Sequence, residues 1–140
     1  SQPLESEMHI SGLPTFHAQV RANSCNGGQL FVTMSDGTSG LRLGHATMDL
    51  RYRDGGYEAK SVTPFSSYTM KMEFNPMDVV IPEGHTIQLE ISDAGEDYLP
   101  STCASAGVTL IQAEQPLSLP LIDRSANDER WFEVPPWWEN

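Results

Sequence analysis

Apolar and polar residues alternate with a period of two through several short stretches of this chain, the spacing that puts every second side chain on one face of a pleated strand. Tyr68, Met70, Met72 and Phe74 share one predicted face, and Thr69, Lys71 and Glu73 the other. Ile87, Leu89 and Ile91 alternate with Gln88 and Glu90, and Phe16, Ala18 and Val20 with His17, Gln19 and Arg21. Leu41, Leu43, Met48, Leu50 and Tyr52 sketch a further pair of segments, interrupted near Gly44, where a bulge or bend fits. Leu30–Met34, Val79–Ile81, Val108–Ile111 and Leu117–Leu121 add short apolar runs. The pattern predicts roughly eight to ten strands.

Turn chemistry falls between them: Asn26-Gly27-Gly28, Ser35-Asp36-Gly37, Asp54-Gly55-Gly56, Asn75-Pro76, Pro82-Glu83-Gly84 and Asp93-Ala94-Gly95. Each supplies a residue that tolerates positive φ or a proline with φ already set. No window of a dozen residues carries apolar positions at helical spacing, so little helix is expected. Many short strands with frequent turns predict an all-β, antiparallel sandwich or jelly roll. It is expected to span residues 1–122. From Asp123 to Asn140 the chain turns polar and then aromatic, with Trp131, Trp137 and Trp138, and is expected to dock as a tail on the sandwich or on a partner.

Composition narrows the classes. At 140 residues the chain is one domain, long enough to bury a core without a disulfide or metal staple. Nineteen acids against eight Lys and Arg give a net charge of −11, which repels phosphate backbones and anionic lipid, so neither nucleic acid nor membrane is an expected partner. No signal-peptide pattern opens the chain, and no run approaches the ~18 apolar residues of a membrane span. The acidic, lysine-poor balance also resembles salt-adapted surfaces. Cys25 and Cys103 both sit in turn-like sequence, and their spacing leaves pairing open.

Candidate chemistry is sparse. A serine hydrolase usually announces its nucleophile in a Gly-x-Ser-x-Gly elbow, and the chain has none. His9 and His17 alternate with apolar residues and are expected to point outward, while His45 and His85 follow turns. Asp93, Glu96 and Asp97 form the best carboxylate cluster for calcium, with Asp123, Asp128 and Glu129 as a second, but neither has a helix-loop-helix ligand pattern, and solvated loops are the expected outcome. Zinc spacing is absent. Trp131, Trp137 and Trp138 are the candidate ligand or partner surface, since exposed aromatics can stack sugars or anchor a neighbour. No catalytic residue, resident metal or cofactor is expected.

Asn75-Pro-Met-Asp-Val-Val-Ile-Pro-Glu-Gly-His-Thr-Ile-Gln-Leu-Glu-Ile-Ser92 resembles a segment of the C-terminal domain of X-Pro dipeptidyl-peptidases and cocaine-esterase-like serine hydrolases. Gly12–Phe16, Gly28–Asp36, Leu41–Arg53 and Leu117–Ile122 are similar to further landmarks of that domain, in the same order. The resemblance runs from Leu4 to Ile122 and implies a jelly-roll, galactose-binding-like β-sandwich beside an α/β-hydrolase catalytic domain. In such proteins the catalytic triad lies in that other domain, so the resemblance implies no catalytic position here. It does imply that the sandwich packs on the hydrolase domain, shapes the surroundings of its site and can contribute to a homo-oligomer. Two features depart from it: the aromatic tail, and Thr86, which stands where an arginine commonly follows the histidine. The first reading is therefore a non-catalytic domain of a multidomain serine hydrolase acting on peptide or ester bonds, without activity alone. The second is a free-standing carbohydrate-binding module.

Overall fold

The computed structural model describes residues 1–23, 27–93, 108–112 and 117–122. Among them run ten strands, all paired antiparallel, and one short 3₁₀ turn, Leu50–Tyr52. The strands are β1 (Met8–Gly12), β2 (Thr15–Ala22), β3 (Gln29–Asp36), β4 (Arg42–Asp49), β5 (Ser67–Glu73), β6 (Met77–Ile81), β7 (Ile87–Ser92), β8 (Val108–Gln112), β9 (Leu117–Ser118) and β10 (Leu121–Ile122).

Two of the three ladders are one ribbon turning a corner. In one ladder β2 lies between β5 on one side and β8 and β9 on the other; in the next, β1 lies between β6 and β10. Three strands of the first are continuous along the chain with those of the second: β2 joins β1 through Leu13-Pro14, β5 joins β6 through Phe74-Asn75-Pro76, and β9 joins β10 through Leu119-Pro120. A proline stands at all three corners, where the ladder is interrupted and its missing N–H is no loss. Two backbone bonds hold the corners together: Ser11 N–H to Pro120 O at 3.0 Å and Phe74 N–H to Pro14 O at 2.9 Å. Bends of this kind let strands pass from one layer of a sandwich to another. The third ladder, ordered β4-β3-β7, supplies the remaining layer.

All three share one core. Phe16, Ala18, Val20 and Ala22 of β2, Leu30, Val32 and Met34 of β3, Met70 and Met72 of β5, Ile10, Ala46, Ile81 and Ile87 form a single buried cluster with Leu50, Val62 and Phe74. The predicted alternation of β2 and β5 is thus the observed one. Phe31, on the opposite side of β3 from Leu30 and Val32, is also buried. The fold is an antiparallel β-sandwich of jelly-roll type.

Three local expectations are corrected. The segments around Gly44 are one strand rather than two, since β4 runs unbroken from Arg42, while the bulge expected near Gly44 is present: Met34 faces Gly44 and Ser35 faces Arg42. A Cβ at Gly44 would lie 2.7 Å from Met77 Cε, so a side chain there would need the flexible methionine tip to move aside. Leu50 and Tyr52 leave the strand for the 3₁₀ turn, whose first N–H groups are served by Asp49: its carboxylate accepts from Arg51 N–H at 2.8 Å. His9, on the face of β1 opposite the core residue Ile10, is covered rather than open to solvent, being only 8% exposed, with the Asp78 carboxylate beside it. His17 is exposed as expected.

Candidate functional site

Among the described residues, the densest polar arrangement joins the turn that follows β3 to the turn that precedes β7. Asp36 ends β3 on its inward side, two residues beyond Met34, and is 5% exposed. Its Oδ1 accepts the backbone N–H groups of Thr38 and Ser39 at 2.9 and 3.2 Å; its Oδ2 accepts Ser39 Oγ at 2.6 Å and faces His85 Nδ1 at 2.7 Å. The Ser39 hydroxyl first, and His85 after it, hold the carboxyl well below the ordinary aspartate value of 3.8. Asp36 therefore stays ionised across the physiological range.

His85 is delivered by a four-residue turn. His85 N–H bonds Pro82 O at 3.2 Å, and Gly84 takes φ +79° at the third position, the conformation glycine alone adopts without strain. Thr86 completes the join: its N–H donates to Thr38 Oγ1 at 3.2 Å and its carbonyl accepts Gly37 N–H at 2.8 Å. Gly37 has no room for a side chain, since a Cβ would lie 2.6 Å from Thr86 Oγ1. At the position where the resemblance leads one to look for arginine, Thr86 thus serves as a turn-to-turn connector.

Acid, imidazole and hydroxyl are all present here, yet the connectivity is not that of a nucleophilic triad. Such a triad needs the hydroxyl on the imidazole nitrogen remote from the acid. Ser39 Oγ instead donates to Asp36, so serine and histidine share one carboxylate as parallel ligands. A second acid–imidazole pair, His9 with Asp78, links β1 to β6 across the ladder, with Asp78 in the register beside Ser11. Thr15 Oγ1 lies 3.4 Å from His17 Nε2 on the exposed face of β2, a contact too long for an activated nucleophile.

A shallow open depression of about 320 Å³ lies where β4 meets the corner of the ribbon, lined by His45, Ala46, Thr47, Glu73, Phe74, Asn75 and Pro76. Its wall is closed by Asn75 N–H to His45 O at 3.3 Å. It brings together an imidazole, a carboxylate and an amide, but Thr47 is its sole hydroxyl and it holds no thiol.

Within and just after the 3₁₀ turn, two arginines lie over aromatic rings. Arg53 lies 4.5 Å from the Tyr68 ring centre and Arg51 5.9 Å from that of Tyr52. Thr63 N–H donates to Tyr68 Oη at 2.7 Å and, with Arg53 nearby, draws the phenol below its usual value. Burial pushes Asp49 up, but the Arg51 guanidinium, 2.6 Å away, outweighs it and holds the carboxyl down.

Trp131, Trp137, Trp138, Glu96, Asp97, Cys25 and Cys103 lie outside the described residues, as do Asp123, Asp128 and Glu129. Asp93 is exposed just past β7, and among the described residues no three His, Cys, Asp or Glu side chains are placed to hold a metal ion. Asp36 had been legible only as a turn residue. The stronger signal was its phase: Leu30, Val32, Met34 and Asp36 share the inward face, and an acid on a core face needs partners.

The sequence profile of the X-Pro dipeptidyl-peptidase C-terminal non-catalytic domain matches residues 1–109. Among solved structures, an alpha-amino acid ester hydrolase is similar at 18% identity and a TM-score of 0.66, over 86% of this chain and 24% of that one. A CocE/NonD family hydrolase from Staphylococcus aureus is similar at 10% identity and a TM-score of 0.66, over 86% and 29%. An aminopeptidase from a marine sediment archaeon, Thaumarchaeota archaeon, gives 14% and 0.63, over 86% and 24%. At such identities the likeness is one of fold, and the chain spans a quarter to under a third of the length of these proteins. No curated protein matches. A profile covering most of the chain, on a sandwich whose acid–imidazole pairs brace turns and strands, makes this chain a member of the X-Pro dipeptidyl-peptidase C-terminal non-catalytic domain family.

Proposed function

We propose that this domain works in one polypeptide with an α/β-hydrolase domain that cleaves peptide or ester bonds, packing on it and shaping the surroundings of its site. The observation that carries the reading is the partial span: the chain corresponds to 24–29% of proteins whose names are ester hydrolase, hydrolase and aminopeptidase. The polar site agrees, since Asp36 ties Ser39 and His85 into a brace between turns rather than arming a hydroxyl. In this reading the aromatic segment 123–140, with Trp131, Trp137 and Trp138, docks on the sandwich or on the hydrolase domain.

Two measurements test it. The purified 140-residue chain is expected to leave nitrophenyl acetate and aminoacyl nitroanilides unhydrolysed; turnover abolished by Ser39→Ala would overturn the non-catalytic role. The reading frame upstream is expected to encode a hydrolase-sized domain with a Gly-x-Ser-x-Gly elbow. A stop codon there, together with glycan binding lost in Trp131→Ala or Trp137→Ala, would replace this reading with a carbohydrate-binding module.

A further inference from the structure

Thr63-Pro64-Phe65-Ser66 is a tight turn closed by Ser66 N–H to Thr63 O at 3.2 Å. Proline stands at its second position, and the third, Phe65, takes φ +63°. That combination is the type II pattern, whose third position is ordinarily glycine because a side chain there is strained. Phe65 is the one non-glycine residue with positive φ among the described residues. A bulky ring thus occupies a glycine seat.

The ring returns little to its own domain, for Phe65 is 69% exposed. The backbone beneath it is nevertheless firmly fixed. Phe65 N–H donates to Ala22 O at 2.9 Å, and Ala22 N–H donates to Ser66 O at 3.1 Å, so the turn is zipped onto the end of β2. Val62, 5% exposed, anchors it in the core, and Tyr68 Oη accepts Thr63 N–H. Strain maintained by surrounding structure to present an exposed aromatic is the signature of a preformed contact point, since little entropy remains to be lost when it is covered.

The charge around it narrows the partner. In a chain of net charge −11, residues 59–72 contain no acid, Lys60 lies five residues before Phe65, Arg21 pairs in register with Ser67 next to the turn, and Arg53 stacks on Tyr68. An apolar anchor with a basic rim fits an apolar recess with an acidic rim. We infer that the Phe65 turn is the anchor by which this domain docks on the hydrolase domain of its own polypeptide. This rests on the proposed function, and the occupant follows from length, because about three-quarters of each similar protein lies outside the region matched here. Tyr57, wholly exposed on the same excursion between the 3₁₀ turn and β5, is a second, subsidiary contact.

The test pairs stability with docking. Phe65→Asn keeps a residue that tolerates positive φ and removes the ring, and Phe65→Gly is the second variant. Thermal melting of the 140-residue chain is expected to rise by a few degrees for Asn and to hold for Gly. Affinity for the separately produced polypeptide encoded upstream in the same gene, read by calorimetry, is expected to fall at least roughly tenfold in both. A lowered Tm would make the ring structural and overturn the inference. Unchanged affinity for a genuine hydrolase partner would overturn it while leaving the proposed function standing, whereas absence of any hydrolase upstream would remove both. Self-association of the chain lost in Phe65→Asn would assign the face to a second copy and overturn it too.

Discussion

Gly12→Ala tests whether the bent ribbon is built as described. Gly12 has φ +130°, a region essentially closed to residues with a Cβ, so the backbone alone costs about 1–3 kcal/mol. The new methyl would also meet Pro120 Cγ at 3.1 Å and Cβ at 3.2 Å, roughly half an ångström inside an ordinary carbon contact. Pro120 cannot retreat freely, because its ring is rigid and its carbonyl accepts Ser11 N–H at 3.0 Å. Overpacking of this kind adds about 1–2 kcal/mol, for a total of about 2–5 kcal/mol out of the ~5–15 that hold a domain folded. For a chain of this size that lowers Tm by about 8–20 °C. Calorimetric or circular-dichroism melts of the single variant, of Pro120→Ala and of the double variant separate the two contributions. Removing the proline ring takes away the Cγ contact but not the Cβ one, and so is expected to recover part of the contact cost and leave the backbone part. A Gly12→Ala chain melting within about 3 °C of the parent would refute the corner and its close packing.

The remaining predictions concern the turns at the polar brace. Gly84→Ala places a methyl where nothing lies within 4 Å, so only the backbone penalty at φ +79° applies, and a loss of about 1 kcal/mol, near 4 °C in Tm, is expected; a neutral result would contradict the turn. Asp36 titrates lower in the folded chain than in the unfolded one, so the folded state binds fewer protons at mildly acidic pH. Its contribution is complete above the unfolded value of 3.8 and fades as pH falls below it toward the lower folded value. Asp36→Asn is expected to lower Tm at neutral pH and to flatten its decline between about pH 5 and pH 2; melts at several pH values would show an unaltered slope if the brace is not formed.

The strands of this fold were legible because a strand writes itself into sequence with period two. Phe16 to Ala22 and Tyr68 to Phe74 alternate cleanly, each having one face on the core and one in water. The signal weakened where that condition failed. On β4 the buried positions are Gly44 and Ala46, too small to mark a face in the sequence, and of the larger residues Leu43 packs against the core while Leu41 is 60% exposed. On β1 the polar His9 lies on the face opposite Ile10, as its neighbours' pattern placed it, yet it is covered there, beside Asp78. Of the corners, only Asn75-Pro76 was legible as a turn, for Leu13-Pro14 read as the entry to a strand and Leu119-Pro120 lay inside the apolar run Leu117–Leu121. Their alignment was not legible, because it depends on contacts between residues more than a hundred positions apart, such as Ser11 with Pro120. The same holds for the brace, whose halves, Asp36 and His85, are 49 residues apart.

Positive φ provides the sharpest contrast within the chain. Gly12, Gly40, Gly55, Gly56 and Gly84 all adopt it, as physical chemistry favours. At Gly12 the reason for glycine is double, since any side chain would strike Pro120; at Gly84 it is the backbone alone. Phe65 inverts this logic, because glycine would satisfy its turn at lower conformational energy and the ring makes scant contact with the domain. A packing explanation would require the ring to be covered by its own chain, whereas it is more exposed than Leu13 or Leu41, the flanking apolar residues of ordinary bends. A solubility explanation fails as well, for an exposed phenyl lowers solubility. What remains is a requirement imposed from outside the sandwich, met by a turn that two backbone bonds to Ala22 keep from relaxing.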